Sequence, residues 1–196
     1  MQDIICYFPG EDDFKLAKRL SIEIILGGYF DKKQIVKLKN EYSATKICAF
    51  LKKPDVRTLQ RLRNAADLVA VEGKTLKLSH FAVQQNADIL LHPLDSKKLY
   101  FDIGIAATLA SRKKTLVALN FTKLLNADEA DLSMQLKNIF FLAKILRKYG
   151  LPLKIFSCAT KPAELRDLKS MRFFLEGLGF SPPQAKKYIS LKVKEK

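Results

Sequence analysis

Two histidines and three cysteines in 196 residues leave little material for a metal centre. No H-x-H, H-E-x-x-H or C-x-x-C occurs, and a multinuclear phosphoesterase site needs many histidine and carboxylate ligands. Cys6, Cys48 and Cys158 are odd in number and sit in apolar runs, so they read as reduced core thiols and not as bridges. The eight glycines form neither G-x-G-x-x-G nor a Walker loop, and Gly27-Gly28 before Tyr29-Phe30 reads as a turn. No apolar run approaches the roughly 20 residues of a membrane span. The opening MQDIICYFPGEDD carries acids where a signal peptide would need a basic start. These absences lead us to expect a cytoplasmic protein without a metal or cofactor of its own. Linkers, low-complexity tracts and strong internal repeats are also lacking, so residues 1–196 are expected to form one domain.

What the chain has in excess is positive charge: 35 Lys and Arg against 20 acids, a net of +15. The excess is uneven, with +6 over residues 1–143 and +9 over residues 144–196. Such a bias favours a polyanionic partner, nucleic acid before membrane. A general positive bias of the source proteome would give the same count.

Short apolar runs alternate with helical segments. Strands are expected at 2–7, 22–26, 46–51, 67–71, 87–91, 115–119, 153–157 and, weakly, 189–193. Most are continuously apolar, as for strands covered on both faces, which points to parallel βα units. The clearest helix is 128–149, where Leu132, Leu136, Ile139, Phe140, Ala143 and Leu146 form a core-facing stripe ended by Gly150 and Pro152. Ser181 and Gln184 in Ser-Pro-Pro-Gln make a capping-box start for a last short helix. Eight strands with intervening helices suggest an α/β fold, a parallel (β/α)8 TIM-like barrel whose final helix is reduced or absent. An open doubly wound sheet is the runner-up.

The stretch 153–172 organises the functional reading. It combines a buried strand, a turn bearing Ser157 and Thr160, and a helix opened by Pro162, with Lys161, Arg166, Lys169 and Arg172 crowded around it. A strand end feeding a helix N-terminus suits an anion such as phosphate, although an ordinary connection with solvated lysines reads the same way. Residues just past each strand of a parallel barrel share one rim: Gly27, Gly28, Lys52, Lys53, Glu72, His92, Asn120 and Ser157. Glu72, His92, Asn120 and Ser157 could make an acid–base site there, or simply satisfy strand ends. His80 falls mid-helix as a packing or surface residue, and Cys158 has no histidine at an informative spacing. Basic residues at loops remain: Lys97-Lys98, Arg112-Lys113-Lys114, Lys123, Lys161, Arg166 and the tail Lys192, Lys194 and Lys196. Singly each fits a solvated face; together they fit phosphate contacts, which need cations on a rigid frame.

With these residues in view, the chain resembles ribonuclease P protein component 3, the archaeal counterpart of the eukaryotic p30 subunit. The likeness runs from about Asp67 to the C-terminus. It lies in DLVAVEG, KTLKLSHFAVQQNADILLHP, RKKTLVALNFTKLL, LRKYGLPLKIFSCAT, the Glu-Leu-Arg of AELRDL, and GFSPPQAKKYIS. After the Arg matching Arg166 the family tends to have Pro and then a basic-Asp-Leu segment, where this chain has Asp167-Leu168-Lys169-Ser170. The resemblance implies a barrel related to metal-dependent phosphoesterases but without their ligands. It also implies a protein that assists a catalytic RNA in removing 5′ leaders from precursor tRNA. Its partners would be that RNA, precursor tRNA, protein component 2 and further protein subunits, with Mg²⁺ on the RNA carrying out hydrolysis. No catalytic side chain is then expected. Lys77, Lys97, Lys98, Lys114, Lys123, Lys161, Arg166 and Lys169 are expected to approach phosphates. The competing readings are a free-standing barrel enzyme binding a phosphorylated metabolite at Ser157–Lys161, and a scaffold whose basic surface is only solvated.

Overall fold

In the computed structural model, which describes residues 1–112 and 114–190, seven parallel strands lie side by side in chain order. They are β1 (Gln2–Ile5), β2 (Glu23–Gly28), β3 (Lys46–Leu51), β4 (Leu68–Glu72), β5 (Ile89–Leu91), β6 (Leu116–Asn120) and β7 (Leu153–Phe156). Helices α1 (Glu11–Arg19), α2 (Lys32–Glu41), α3 (Val56–Ala65), α4 (Leu76–Gln84) and α5 (Ile103–Arg112) link the first six strands. Between β6 and β7 come α6 (Phe121–Leu125) and α7 (Glu129–Lys148). After β7 follow a 3₁₀ turn (Pro162–Glu164), α8 (Leu168–Gly177) and α9 (Pro182–Ser190).

The sheet curls until its two edges meet. Ile5 forms a parallel bridge with Ala159, and the Cys6 N–H donates to the Ala159 carbonyl at 2.7 Å. This is a TIM-like barrel with a reduced last unit. A doubly wound sheet would reverse its strand order part-way, and this one does not.

Continuous apolar strands follow from burial on both faces. Alternate residues Ile4, Ile25, Cys48, Phe50, Ala70, Leu91, Ala118 and Phe156 fill the barrel interior. The residues between them, among them Ile47, Ala49, Val69, Val71, Leu90, Val117 and Ile155, pack outward against the helices. At the end of the barrel where strands begin, the interior turns polar. Glu23 accepts from Gln2 Nε2 at 3.1 Å and pairs with Lys46 Nζ at 3.2 Å. Fully buried Lys154 donates from Nζ to the Ile189 carbonyl at 2.5 Å, tying the last turn of α9 to β7. Burial lowers the Lys154 ammonium to about 8.

Three sequence expectations change. The eighth strand is not formed at its start: Ile189 and Ser190 end α9, and residues 191–193 lie outside the described residues. The helix opened by Pro162 is broken in two, because the Asp167 side chain accepts from Ser170 N at 2.7 Å and starts α8 afresh. Gly27 and Gly28 end β2 and do not form a turn after it. The 128–149 helix appears at Glu129–Lys148 with Asp128 as its cap and Gly150 at φ 64°, the left-handed conformation its C-terminus requires.

Candidate nucleic-acid interface

The rim at the C-terminal ends of β4 to β7 is polar, and its polar groups are already committed. Buried Glu72 pairs with Lys74 at 2.8 Å and with Lys123 at 3.3 Å. The buried His92 ring accepts the Asn120 N–H at Nδ1, 3.3 Å away, and Gln135 contributes a second hydrogen bond. Burial, reinforced by the Lys123 charge, drives its pKa down to about 3, so the imidazole is neutral and is no proton carrier near pH 7. Asn120 Oδ1 caps α6 by accepting from Lys123 N at 3.1 Å. Ser157 donates from N and Oγ to the two oxygens of Asp3, at 2.6 and 2.5 Å. Glu72, His92 and Asn120 are therefore tied together around Lys123. Ser157 is spent on Asp3, and with the imidazole neutral the four make no shared acid–base site.

The Ser157–Lys161 turn is likewise not a phosphate cradle. Its donors are taken by two carboxylates: Asp3 receives Ser157 N, and buried Glu164 receives Thr160 N at 2.7 Å and Thr160 Oγ1 at 2.9 Å. A phosphate here would have to displace an existing anion. The Thr160 N–H holds the Glu164 carboxyl below the usual range. Burial pushes Asp3 up to about 6 despite its hydrogen bonds from Ser157. Neither acid stood out in the sequence as a site residue; the four-residue spacing of Thr160 and Glu164 was the one local signal. Cys158 is buried, its thiol pushed up by burial and by neighbouring Cys6, which leaves it a poor nucleophile. His80 sits half-exposed, 3.2 Å from Asp102.

The basic residues fare differently from one another. Lys77 lies exposed in the first turn of α4, just past β4. Lys97 and Lys98 stand exposed on the β5–α5 loop, which Asp95 Oδ1 shapes by accepting both backbone N–H groups, at 2.8 and 2.7 Å. Lys161 is exposed past β7, 3.8 Å from Glu164. Lys169 is exposed at the start of α8, with Nζ 5.8 Å from the Phe173 ring centre. Arg166 folds back on its own turn, Nη1 donating to the Ala163 and Leu165 carbonyls, both at 2.8 Å. Lys123 is half-buried against Glu72. Seven of the eight candidates thus follow the C-terminal ends of strands. Lys114 is the exception, exposed between α5 and β6 at the opposite end of the barrel. Lys113, Lys192, Lys194 and Lys196 lie outside the described residues.

Over β1 to β3 the rim changes character. Cys6, Tyr7, Phe8, Tyr29, Phe30 and Phe50 surround a cavity of about 310 Å³ floored by Gly27 and Gly28. Lys52 Nζ sits 3.8 Å from the centre of the Tyr29 ring. Among the described residues no group of three or more His, Cys, Asp and Glu is arranged to hold a metal ion.

The model of the family described as RNase P subunit p30 matches residues 47–195. The chain belongs to that family. The match begins ahead of Asp67, so the p30 likeness takes in β3 and α3 as well. The Ribonuclease P protein component 3 of Methanocaldococcus jannaschii is 29% identical over 189 residues, covering 93% of this chain and 75% of that protein. Its counterpart in Thermococcus gammatolerans is 24% identical over 156 residues, covering 79% and 72% respectively. A chain in the cryo-EM structure of archaeal Ribonuclease P with mature tRNA superposes with a TM-score of 0.82 at 25% identity, over 96% of this chain and 86% of that one. An amidohydrolase crystal structure shares the fold alone, with a TM-score of 0.60 at 10% identity over 96% of this chain and 61% of that one.

Proposed function

We propose that this p30-family chain works as a protein subunit of ribonuclease P, lending a rigid basic surface to a catalytic RNA that removes 5′ leaders from precursor tRNA. The observation that carries this reading is the likeness along nearly the whole chain to a subunit of an archaeal RNase P complex containing tRNA. Hydrolysis then belongs to Mg²⁺ held by the RNA, and this chain supplies position and charge. The partners are the RNase P RNA, precursor tRNA, protein component 2 and other subunits. The cytoplasm is the expected compartment; no helix among the described residues is long and apolar enough to cross a membrane.

Exposed Lys77, Lys97, Lys98, Lys161 and Lys169 are the foremost phosphate contacts. Arg166 and Lys123 come next, since each has a partner within the fold, and Lys114 would need RNA at the far end of the barrel. Phosphate contacts release counterions, so affinity falls with log salt, and each Lys→Ala change flattens the slope by about one unit at most. The deciding experiment is reconstitution with the matching catalytic RNA at low Mg²⁺, with and without component 2, scored by leader removal. Stimulation that weakens with salt is expected. Leader removal indifferent to this protein, or by it with no RNA subunit present, refutes the reading.

A further inference from the structure

We propose that the cavity over β1 to β3 receives one unpaired RNA base, with Lys52 and Lys53 against the adjoining phosphates. The proposal rests on the RNA-binding reading above and adds to it a site that holds a base, not only its backbone.

The walls are aromatic, and two of the rings are left in water. Phe8 is 64% exposed and Tyr29 41% exposed. Tyr29 is propped edge-on against Phe50, their centroids 5.6 Å apart at 90°, while Phe8 stacks on Tyr42 at 6.5 Å and 14°. Both rings are thus braced by an aromatic neighbour, and a base stacking on Tyr29 would take the face that Lys52 now covers, with the Lys52 ammonium swinging to the adjoining phosphate. Two glycines make this possible. A Cβ on Gly27 would lie 2.3 Å from Ile4 Cγ2, and one on Gly28 would lie 2.6 Å from the Phe30 ring. Only bare backbone lets these side chains close on the strand and leave the hollow above it. Its volume of about 310 Å³ sits at the small end for ligand pockets, roughly 300–1,000 Å³, and suits a single planar group.

Charge chooses the occupant. Lys52 and Lys53 are both exposed just past β3, and Lys52 is held over the Tyr29 ring at the mouth of the cavity. The nearby acids of α1 are already occupied: Asp13 accepts from Gly10 N at 2.9 Å, and Glu11 and Asp12 pair with Lys15 at 3.0 and 3.3 Å. Aromatic faces beside unneutralised lysines are how single-stranded RNA is held, each base stacking while cations follow its phosphates. An apolar side chain of a partner protein would use the rings and leave the lysines idle.

The test uses the full-length chain and two probes: single-stranded oligoadenylate RNA, and an abasic ribose-phosphate strand of the same length. The wild type should bind the base-bearing strand about tenfold more tightly. Phe8→Ala should erase most of that preference and leave abasic affinity unchanged, while Phe8→Tyr keeps it. Tyr29→Ala should erase the preference as well and, by freeing Lys52 from its ring, shift abasic affinity by no more than Lys52→Gln does. Lys52→Gln should weaken both probes alike. Equal, salt-sensitive affinity for the two strands overturns the pocket and leaves the lysine reading standing. No affinity for either overturns both. A preference that survives both alanine variants, or variants that lose component 2 but keep the preference, assigns the cavity to something other than a base.

Discussion

The two halves of the barrel mouth are built on opposite plans. From β4 round to the seam with β1, polar groups are spent on one another, as in Ser157 with buried Asp3, Thr160 with buried Glu164, and Asn120 with buried His92. From β1 to β3 the mouth is aromatic, hollow and exposed. A buried polar network holds a fold together because each member would cost free energy if left alone. An exposed aromatic cluster gives the monomer little, so its presence calls for a partner. The polar half, which looked like chemistry in the sequence, is structural. The half that looked like a plain turn carries an open, aromatic-walled cavity.

Breaking the polar half should have the largest effect. Asp3→Ala strands the buried N–H of Ser157 at the seam between β1 and β7 and leaves its hydroxyl only the longer bond to the Ile4 carbonyl, and should cost about 2–4 kcal/mol in urea unfolding. An Asp3→Ala protein as stable as wild type would show that the seam does not depend on this contact.

The pH dependence separates two members of that half. Asp3 titrates near 6 when folded, above its unfolded value, so its contribution to stability is full below about 4 and is lost as pH rises through 6. His92 is depressed to about 3, so its contribution is present above about 6.5 and is lost as pH falls toward 3. Each is worth roughly 3–5 kcal/mol, and between pH 4 and 6 they oppose each other. The wild type should therefore change little across that window. Asp3→Asn should lose stability on acidification and His92→Gln should gain it. Parallel profiles for the two variants would contradict the assignment.

A smaller effect is expected where the halves share the interior. Gly27→Ala forces a methyl onto Ile4 and Phe50 and should cost about 1–3 kcal/mol. Chemical denaturation of this variant against wild type reads it directly. Smallest of all, Phe8→Ala should change stability by no more than about 0.5 kcal/mol, because the ring is mostly in water. A large loss would move Phe8 into the structural half and blunt the contrast.

Much of the scaffold was legible beforehand for simple reasons. The run at 46–51 is β3 to the residue, since a continuous apolar run too short for a helix and followed by Pro54 favours a strand covered on both sides. The extent of α7 and its glycine stop are equally local signals, but the stripe holds only in part: Ile139, Ala143 and Leu146 are buried together with Gln135 and Leu142, while Phe140 lies exposed. What failed depended on distance. Ser157 and Asp3 are 154 positions apart, and nothing near either one announces the other. The end of α9 needs Lys154 beneath it, a contact spanning 35 positions, and the weak apolar pattern at 189–193 carries no sign of that.

By itself, then, the amino-acid order settled the rhythm of βα units, the poverty of metal ligands and the surplus of cations, because periodicity and composition are properties of neighbours along the chain. Which rim groups are free and which are consumed was decided only when the barrel closed. Closure sets carboxylates from one end of the chain against donors from the other, and it gathers Phe8, Tyr29 and Lys52 from three strand ends into one mouth.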